Sequence, residues 1–171
     1  MPEIVIVPQG QTTFVSQHPY NEQRIKAAAI YCSDGRFGGH CDDFLHNALR
    51  LPRYDRLVVP GGPAALAGDL TTYREGEALT QQLSFLIEAH GLERLVLIAH
   101  ESCAFYTNRL FVAPPDLMHR QFQDLRKAAE RIANMSSRLS VEAHMAWRRG
   151  DHIVFEPVPS GAASHSMAPN V

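Results

Sequence analysis

The segment RIKAAAIY (residues 24–31) is a short apolar run that stops at the polar sequence CSDGR (residues 32–36). A short apolar run bounded by turn-forming residues is typical of a strand that is buried on both faces, as in a parallel sheet. We therefore predict a buried strand that ends just before Cys32. The segment LERLVLIAH (residues 92–100) repeats the pattern, and His100 closes it.

Helix-like and strand-like segments alternate along the rest of the chain. The further predicted elements are a helix over 38–51, a strand over 54–62, a helix over 71–91, a helix over 114–137 and a β-hairpin over 138–158. Alternation of this kind predicts an α/β fold with a mostly parallel central sheet flanked by helices. The closing hairpin is expected to add one parallel strand and an antiparallel edge strand.

The chain of 171 residues is long enough for one domain with a sizeable core. We predict that residues 24–158 form this α/β domain. Residues 1–23 are interpreted as an N-terminal extension or arm, in which EIVIV (residues 3–7) could form a strand of unknown position. Residues 159–171 are rich in small residues and proline, which cannot bury much apolar surface, so we predict a disordered tail.

The bulk composition is that of an ordinary soluble globular protein. Hydrophobic residues make up 45% of the chain, charged residues make up 20%, and the formal net charge is −2. This balance favours neither a nucleic acid nor an anionic membrane as a partner. No apolar run approaches the roughly 20 residues that a membrane span needs. The N-terminal sequence also lacks the features of a signal peptide, so we expect a cytoplasmic protein.

Two cysteines and a histidine lie where the predicted strands end. The carboxyl ends of parallel strands lie at one edge of a sheet. A crevice opens at that edge where the connections from two neighbouring strands lead in opposite directions. If the strands ending near Cys32 and His100 are neighbours, then Cys32, His100 and Cys103 converge in that crevice. Two thiolates and an imidazole suit zinc, and three protein ligands leave the fourth tetrahedral position for water, whose pKa falls to about 7.

Asp34 and Arg36 follow Cys32 at alternate positions. A carboxylate two residues from a ligand can reach the fourth metal position, where it can orient the bound water or compete with it. Arg36 could hold Asp34 in a charged, bidentate pair. Such pairs orient the groups that contact a metal directly.

The pattern C-x-D-x-R after one strand and H-x-x-C after a later one resembles the β-class carbonic anhydrases, over about residues 24–158. The resemblance implies that Cys32, His100 and Cys103 bind zinc and that Asp34 and Arg36 form the dyad beside the metal. It implies a zinc-bound hydroxide that attacks CO2 to give bicarbonate, and a homodimer or higher homo-oligomer.

Two segments depart from the family pattern. Ala104 stands where the family usually has glycine, and PGGP (residues 60–63) stands where it usually has Asn-Ala-Gly. These segments help to build the substrate pocket in the family. CO2, carbonyl sulfide or another small linear molecule therefore remain open as substrates.

Two other classes of function remain open at this point. The chain could be a non-catalytic zinc-binding relative in which Asp34 closes the metal site. It could also be a metal-independent thiol enzyme that uses Cys32 or Cys103 as its nucleophile. We expect Cys41 to be packed in the core. The histidines expected at the surface or at caps are His18, His90, His119, His144, His152 and His165.

Overall fold

A computed structural model gives the structure of residue 10 and residues 15–159. The strands are β1 (Ala27–Cys32), β2 (Asp55–Val59), β3 (Arg94–His100), β4 (Ser140–Arg149) and β5 (His152–Pro157). The α-helices are α1 (Gly35–Asp43), α2 (Tyr73–Ala89), α3 (Ala104–Asn108) and α4 (Leu117–Ala133). A π-helical turn, Phe44–Ala48, continues α1, and short 3₁₀ segments span Gly62–Ala67, Leu70–Thr72 and Pro114–Asp116.

The five strands form one sheet in the order β2-β1-β3-β4-β5. The first four strands are parallel, and β5 pairs with β4 in antiparallel fashion. The predicted α/β fold with a mostly parallel sheet and an antiparallel edge strand is confirmed. No helix in the described part of the chain combines the length and apolar character needed to cross a membrane.

Helices cover both faces of the central strands, which explains why β1 and β3 are almost uninterruptedly apolar. Every residue of β1 is buried, as is every residue of β3 after Arg94. Helices α2 and α4 supply the core of one face, and α1 supplies that of the other. The helices contact the sheet through apolar residues at helical spacing. In α2 these residues are Leu79, Leu83 and Ile87.

The pairing of β1 with β3 creates the predicted crevice. The chain leaves β1 through α1 and reaches β2, which lies on the outer side of β1. It then returns through α2 to β3 on the inner side. Because these connections depart in opposite directions, the residues after β1 and β3 face one opening at the carboxyl edge of the sheet.

The structure refines several predicted elements. The helix predicted from residue 38 begins earlier, at Gly35, because the Asp34 side chain accepts a hydrogen bond from the Arg36 backbone N–H and caps the first turn. The short segments Gly62–Ala67 and Ala104–Asn108 were not predicted, since neither is long enough to show helical periodicity. The EIVIV segment and residues 160–171 lie outside the described residues, so the arm and the tail stay predictions.

The turn after β2 lies directly against the end of β1. Gly61 and Gly62 both have left-handed backbones, with φ of 77° and 56°. A Cβ atom on Gly62 would lie 2.9 Å from the backbone nitrogen of Cys32 and 3.0 Å from the carbonyl carbon of Tyr31. Glycine is therefore required at position 62 by both backbone conformation and space.

We predict that Gly62→Ala destabilises the fold more than Gly91→Ala does. Both positions have positive φ, of 56° and 62°, but a Cβ atom added at Gly91 would meet no other described atom within 4 Å. Left-handed strain of about 1–2 kcal/mol should act on both variants. Only Gly62→Ala should lose a further ~1–3 kcal/mol from overpacking. Urea unfolding of metal-free protein measures both; equal losses would contradict this account of the turn.

Candidate metal centre

The structure brings together the three side chains that the sequence predicts as metal ligands. Each of the three residues, Cys32, His100 and Cys103, offers one ligand atom. These three atoms lie within 4.8 Å of one another. Cys32 ends β1, His100 ends β3, and Cys103 directly precedes α3. All three residues are buried. This group could hold a metal ion.

The distances fit a tetrahedral ion of the size of zinc. The two Sγ atoms are 3.9 Å apart. A zinc ion with Zn–S bonds of about 2.3 Å and a tetrahedral angle would place its sulfurs about 3.8 Å apart. The His100 Nε2 atom is buried and has no hydrogen-bond partner among the described residues. A buried nitrogen without a partner is unfavourable unless a further group satisfies it, and a metal ion would do so.

Hydrogen bonding fixes which nitrogen of His100 is available. Its Nδ1 lies 2.9 Å from the carbonyl oxygen of Glu101, and since a carbonyl can only accept, Nδ1 carries the proton. The lone pair is then on Nε2, the atom to which no described residue bonds. The ring of Phe37 stacks on the imidazole with 4.1 Å between centroids, which restricts its rotation.

The two thiols interact closely. The Cys103 thiol hydrogen-bonds to Cys32, which lowers the pKa of Cys32 and raises the pKa of Cys103. These opposite shifts favour a state in which the two sulfurs share one proton. Hydrogen bonds from the backbones of Asp34 and Gly61 further favour the Cys32 thiolate. Binding of a divalent ion would release the remaining thiol proton.

A turn with strained backbone brings His100 and Cys103 to the same point. Ser102 adopts a left-handed conformation with φ of 53°, which is uncommon for a residue with a side chain. The backbone N–H of Glu101 donates to the Ala146 carbonyl at 3.0 Å, which ties the start of this turn to β4. The turn redirects the chain between His100 and Cys103, so that both side chains reach the metal-ligand group.

Asp34 and Arg36 form the expected bidentate pair. The Arg36 Nε donates to both carboxylate oxygens at 3.0 and 3.2 Å, and its Nη2 donates to Oδ2 at 2.6 Å. The Arg36 backbone N–H donates to Oδ1 at 3.0 Å. Hydrogen bonds from the Arg36 side chain, followed by that from its backbone, lower the pKa of Asp34 to about 2. Asp34 is therefore a carboxylate at any pH near neutrality.

The cluster opens to a cavity of about 410 Å³. The cysteines, Asp34 and the turn after β2 form part of its wall, and α3 forms the rest. Its lining residues are Cys32, Ser33, Asp34, Pro60, Gly61, Cys103, Ala104, Phe105, Asn108 and Arg109. Ala104 and the Pro60–Gly61 turn, where the sequence departs from the family pattern, both lie in this wall.

One buried side chain that the sequence did not indicate supports the centre. Gln121 on α4 is 1% exposed, and its Nε2 donates to the backbone carbonyl of His100 at 2.7 Å. It thereby links the end of β3 to the helix beneath it. A lone glutamine in an amphipathic helix ordinarily indicates a solvated position, so the sequence carried no signal for this contact.

Cys41 and the other described histidines lie outside the metal-ligand group. Cys41 is buried as predicted, and this burial raises its pKa to about 12. His40 is exposed. The surface position predicted for His144 is wrong: this residue is 8% exposed, because it lies on the inner strand β4 with Phe44 against its ring at 4.9 Å.

Comparison with known proteins identifies the family. The profile of a family described as "Putative carbonic anhydrase" matches residues 22–150, well over half of the chain. The chain belongs to this carbonic anhydrase family. A search of curated protein sequences found no match.

Solved carbonic anhydrases have the same fold. The β-carbonic anhydrase isoform I of Trichomonas vaginalis is 10% identical, with a TM-score of 0.54 over 82% of this chain and 87% of that one. The carbonic anhydrase from Glaciozyma antarctica is 14% identical, with a TM-score of 0.51 over 76% of this chain and 80% of that one. At these identities the likeness concerns the fold, and this chain is a divergent β-carbonic anhydrase-like member.

We predict that Gln121→Leu weakens metal binding without removing a ligand. The variant leaves the His100 carbonyl without its donor, at a cost of about 1–3 kcal/mol in stability. Loss of a contact that orients a ligand typically reduces metal affinity by roughly 10–100-fold. Gln123→Leu is the matched control, since Gln123 is exposed on the same helix. Competition with a zinc chelator measures affinity; equal values for both variants would contradict this role.

Proposed function

We propose that this protein is a zinc-dependent enzyme of the carbonic anhydrase type. It would add water to CO2, or to a similar small electrophile, to give bicarbonate and a proton. The observation that carries the proposal is the buried Cys32–His100–Cys103 group, whose imidazole Nε2 has no partner among the described residues, beside a carboxylate held by three charged hydrogen bonds from Arg36. Family membership supports the same reaction class.

Cys32, His100 and Cys103 would hold the ion and leave one position open to the cavity. Zinc bound there would act as a Lewis acid and lower the pKa of water in that position to about 7. The small apolar cluster of Ala64 and Tyr106, which packs around the two cysteines, excludes solvent from the sulfur side. Exclusion of water strengthens the electrostatic interactions within the site.

Asp34 would orient the reacting water. As a carboxylate it can only accept hydrogen bonds, so it would hold the water by a proton and leave an oxygen lone pair directed at the substrate. Arg36 keeps the carboxylate ionised and fixes both of its oxygens. The new bond joins the water oxygen to the substrate carbon, one C=O electron pair moves to oxygen, and the proton leaves to buffer.

The assembly follows the resemblance rather than a contact in a single chain. We propose a homodimer or higher homo-oligomer and a cytoplasmic location. No nucleic acid or membrane partner is proposed, since a net charge of −2 does not favour binding to a polyanion.

Cys32→Ala should abolish stoichiometric zinc binding, and Cys41→Ala should retain it. Both cysteines are buried, but only Cys32 belongs to the ligand group. Zinc per chain is measured by mass spectrometry on untagged protein, together with circular dichroism to verify folding. About one zinc ion in the wild type and in Cys41→Ala, with loss in Cys32→Ala, is expected. A folded wild type that stays free of zinc after incubation with zinc would reject the proposal.

Asp34→Asn should retain zinc and lose most of the CO2 hydration activity. Asparagine caps a helix about as well as aspartate does, so α1 should remain folded. Its neutral amide pairs poorly with Arg36 and can donate as well as accept, so water would be misoriented, with an expected loss of roughly 10²–10⁴-fold in kcat. Stopped-flow hydration assays at pH 7 and 8.5 measure the effect.

Two outcomes would favour the other functions. Zinc binding with no hydration in the wild type at either pH would favour a non-catalytic relative or another substrate. Activity that persists in metal-free protein and disappears on alkylation would favour a thiol enzyme, for which the lowered pKa of Cys32 is the supporting observation.

A further inference from the structure

A second cavity adjoins the metal cavity. It has a volume of about 460 Å³ and lies between the end of β2 and the first half of α2. Three residues, Pro60, Phe105 and Arg109, line both cavities. The two spaces are therefore neighbours that share these three lining residues.

Apolar side chains form most of the second cavity. Val59 is the last residue of β2, Ala65 belongs to the buried 3₁₀ segment, and Ala78 and Leu79 lie on α2. The Phe105 ring lies against Gly61, where a Cβ atom would approach it to 2.5 Å. Gly61 leaves this space free for the ring, which lines both cavities.

The charged residues of the second cavity neutralise each other. Arg109 donates from Nε and Nη2 to Glu75 Oε1 at 3.0 and 2.8 Å. Its Nη2 also donates to the carbonyl of Thr71 at 2.6 Å. With both charges paired, this lining offers an ionic ligand group little attraction, whereas it offers an uncharged hydrocarbon group contact with Val59, Ala65 and Leu79.

The volume exceeds what a three-atom substrate needs. Cavities that bind small organic molecules typically measure about 300–1,000 Å³ and are lined mainly by apolar groups with a few polar ones. The second cavity fits this description, with Gln82 as its remaining uncharged polar residue.

We propose that the second cavity is an apolar subsite of the metal centre, which accepts an uncharged alkyl or aryl group attached to a ligand whose polar head binds at Cys32, His100 and Cys103. The head-group part rests on the proposed function. The subsite itself rests on the shared wall, the apolar lining and the Glu75–Arg109 pair. The corresponding substrate class is a small electrophile that carries an apolar substituent.

Two hydroxamates with the same head test the proposal. Acetohydroxamate has only a methyl group, whereas 3-phenylpropionohydroxamate carries an aryl tail. Isothermal titration into the zinc-loaded full chain should give at least roughly tenfold tighter binding of the aryl compound, because its ring is removed from water. Methyl NMR shifts at Ala65 and Leu79 should accompany the binding of the aryl compound alone.

Ala78→Trp fills the cavity and leaves the metal group intact. It should reduce the preference for the aryl compound to about twofold or less, with acetohydroxamate affinity and zinc content unchanged. Ala89→Trp is the matched control, because Ala89 is an exposed alanine at the other end of α2. A preference that survives Ala78→Trp, or that is absent from the wild type, overturns the subsite.

Failure of the metal proposal can be recognised separately. If the wild type binds neither zinc nor acetohydroxamate, the proposed function fails, and the aryl compound is titrated into metal-free protein. Binding that shifts Ala65 and Leu79 and disappears in Ala78→Trp would still support the subsite; no binding would overturn it. A light-scattering mass that shows a dimer, with no aryl preference, would indicate that a second copy covers the groove and would also overturn it.

Discussion

The candidate centre depends on the direct pairing of β1 with β3. This pairing runs from Ala27 opposite Arg94 to Ile30 opposite Leu97. It brings Cys32 and His100 to the same edge although 68 positions separate them in the chain. One intervening strand would add about 4.8 Å between the strand ends. Ligand bonds of about 2.0–2.3 Å could not bridge such a gap, so the strand order is the first requirement of the site.

Burial supplies the second requirement. The sulfurs lie among Ala64, Tyr106 and the turn at Gly62, and that turn can approach the β1 backbone only without a side chain. A buried pair of thiols cannot easily lose both protons in such surroundings. A bound ion would remove this difficulty, because it would supply the positive charge that two buried thiolates otherwise lack. Fold and metal affinity would thus be coupled through the same few contacts.

The fold and the ligand group could be predicted from the sequence because both depend on local patterns. Apolar runs marked β1 and β3, and Cys32, His100 and Cys103 stood at their ends. Contacts that depend on tertiary packing could not be predicted from the sequence. Gln121 is an ordinary polar residue until α4 is placed beneath β3, and His144 becomes buried only because β5 and Phe44 flank β4. The cavity beside α2 likewise depends on how that helix lies over the end of β2.

Asp34 both caps α1 and pairs with Arg36, and these two roles restrict the rotation of its side chain. The same carboxylate begins α1 and accepts three hydrogen bonds from the Arg36 side chain. A rotation that carried it onto the ion would release the first turn of α1, at about 1 kcal/mol, and would separate the carboxylate from the guanidinium. The helix cap and the Arg36 pair would therefore oppose such a rotation, and they would keep the fourth position of a bound ion free for an incoming molecule.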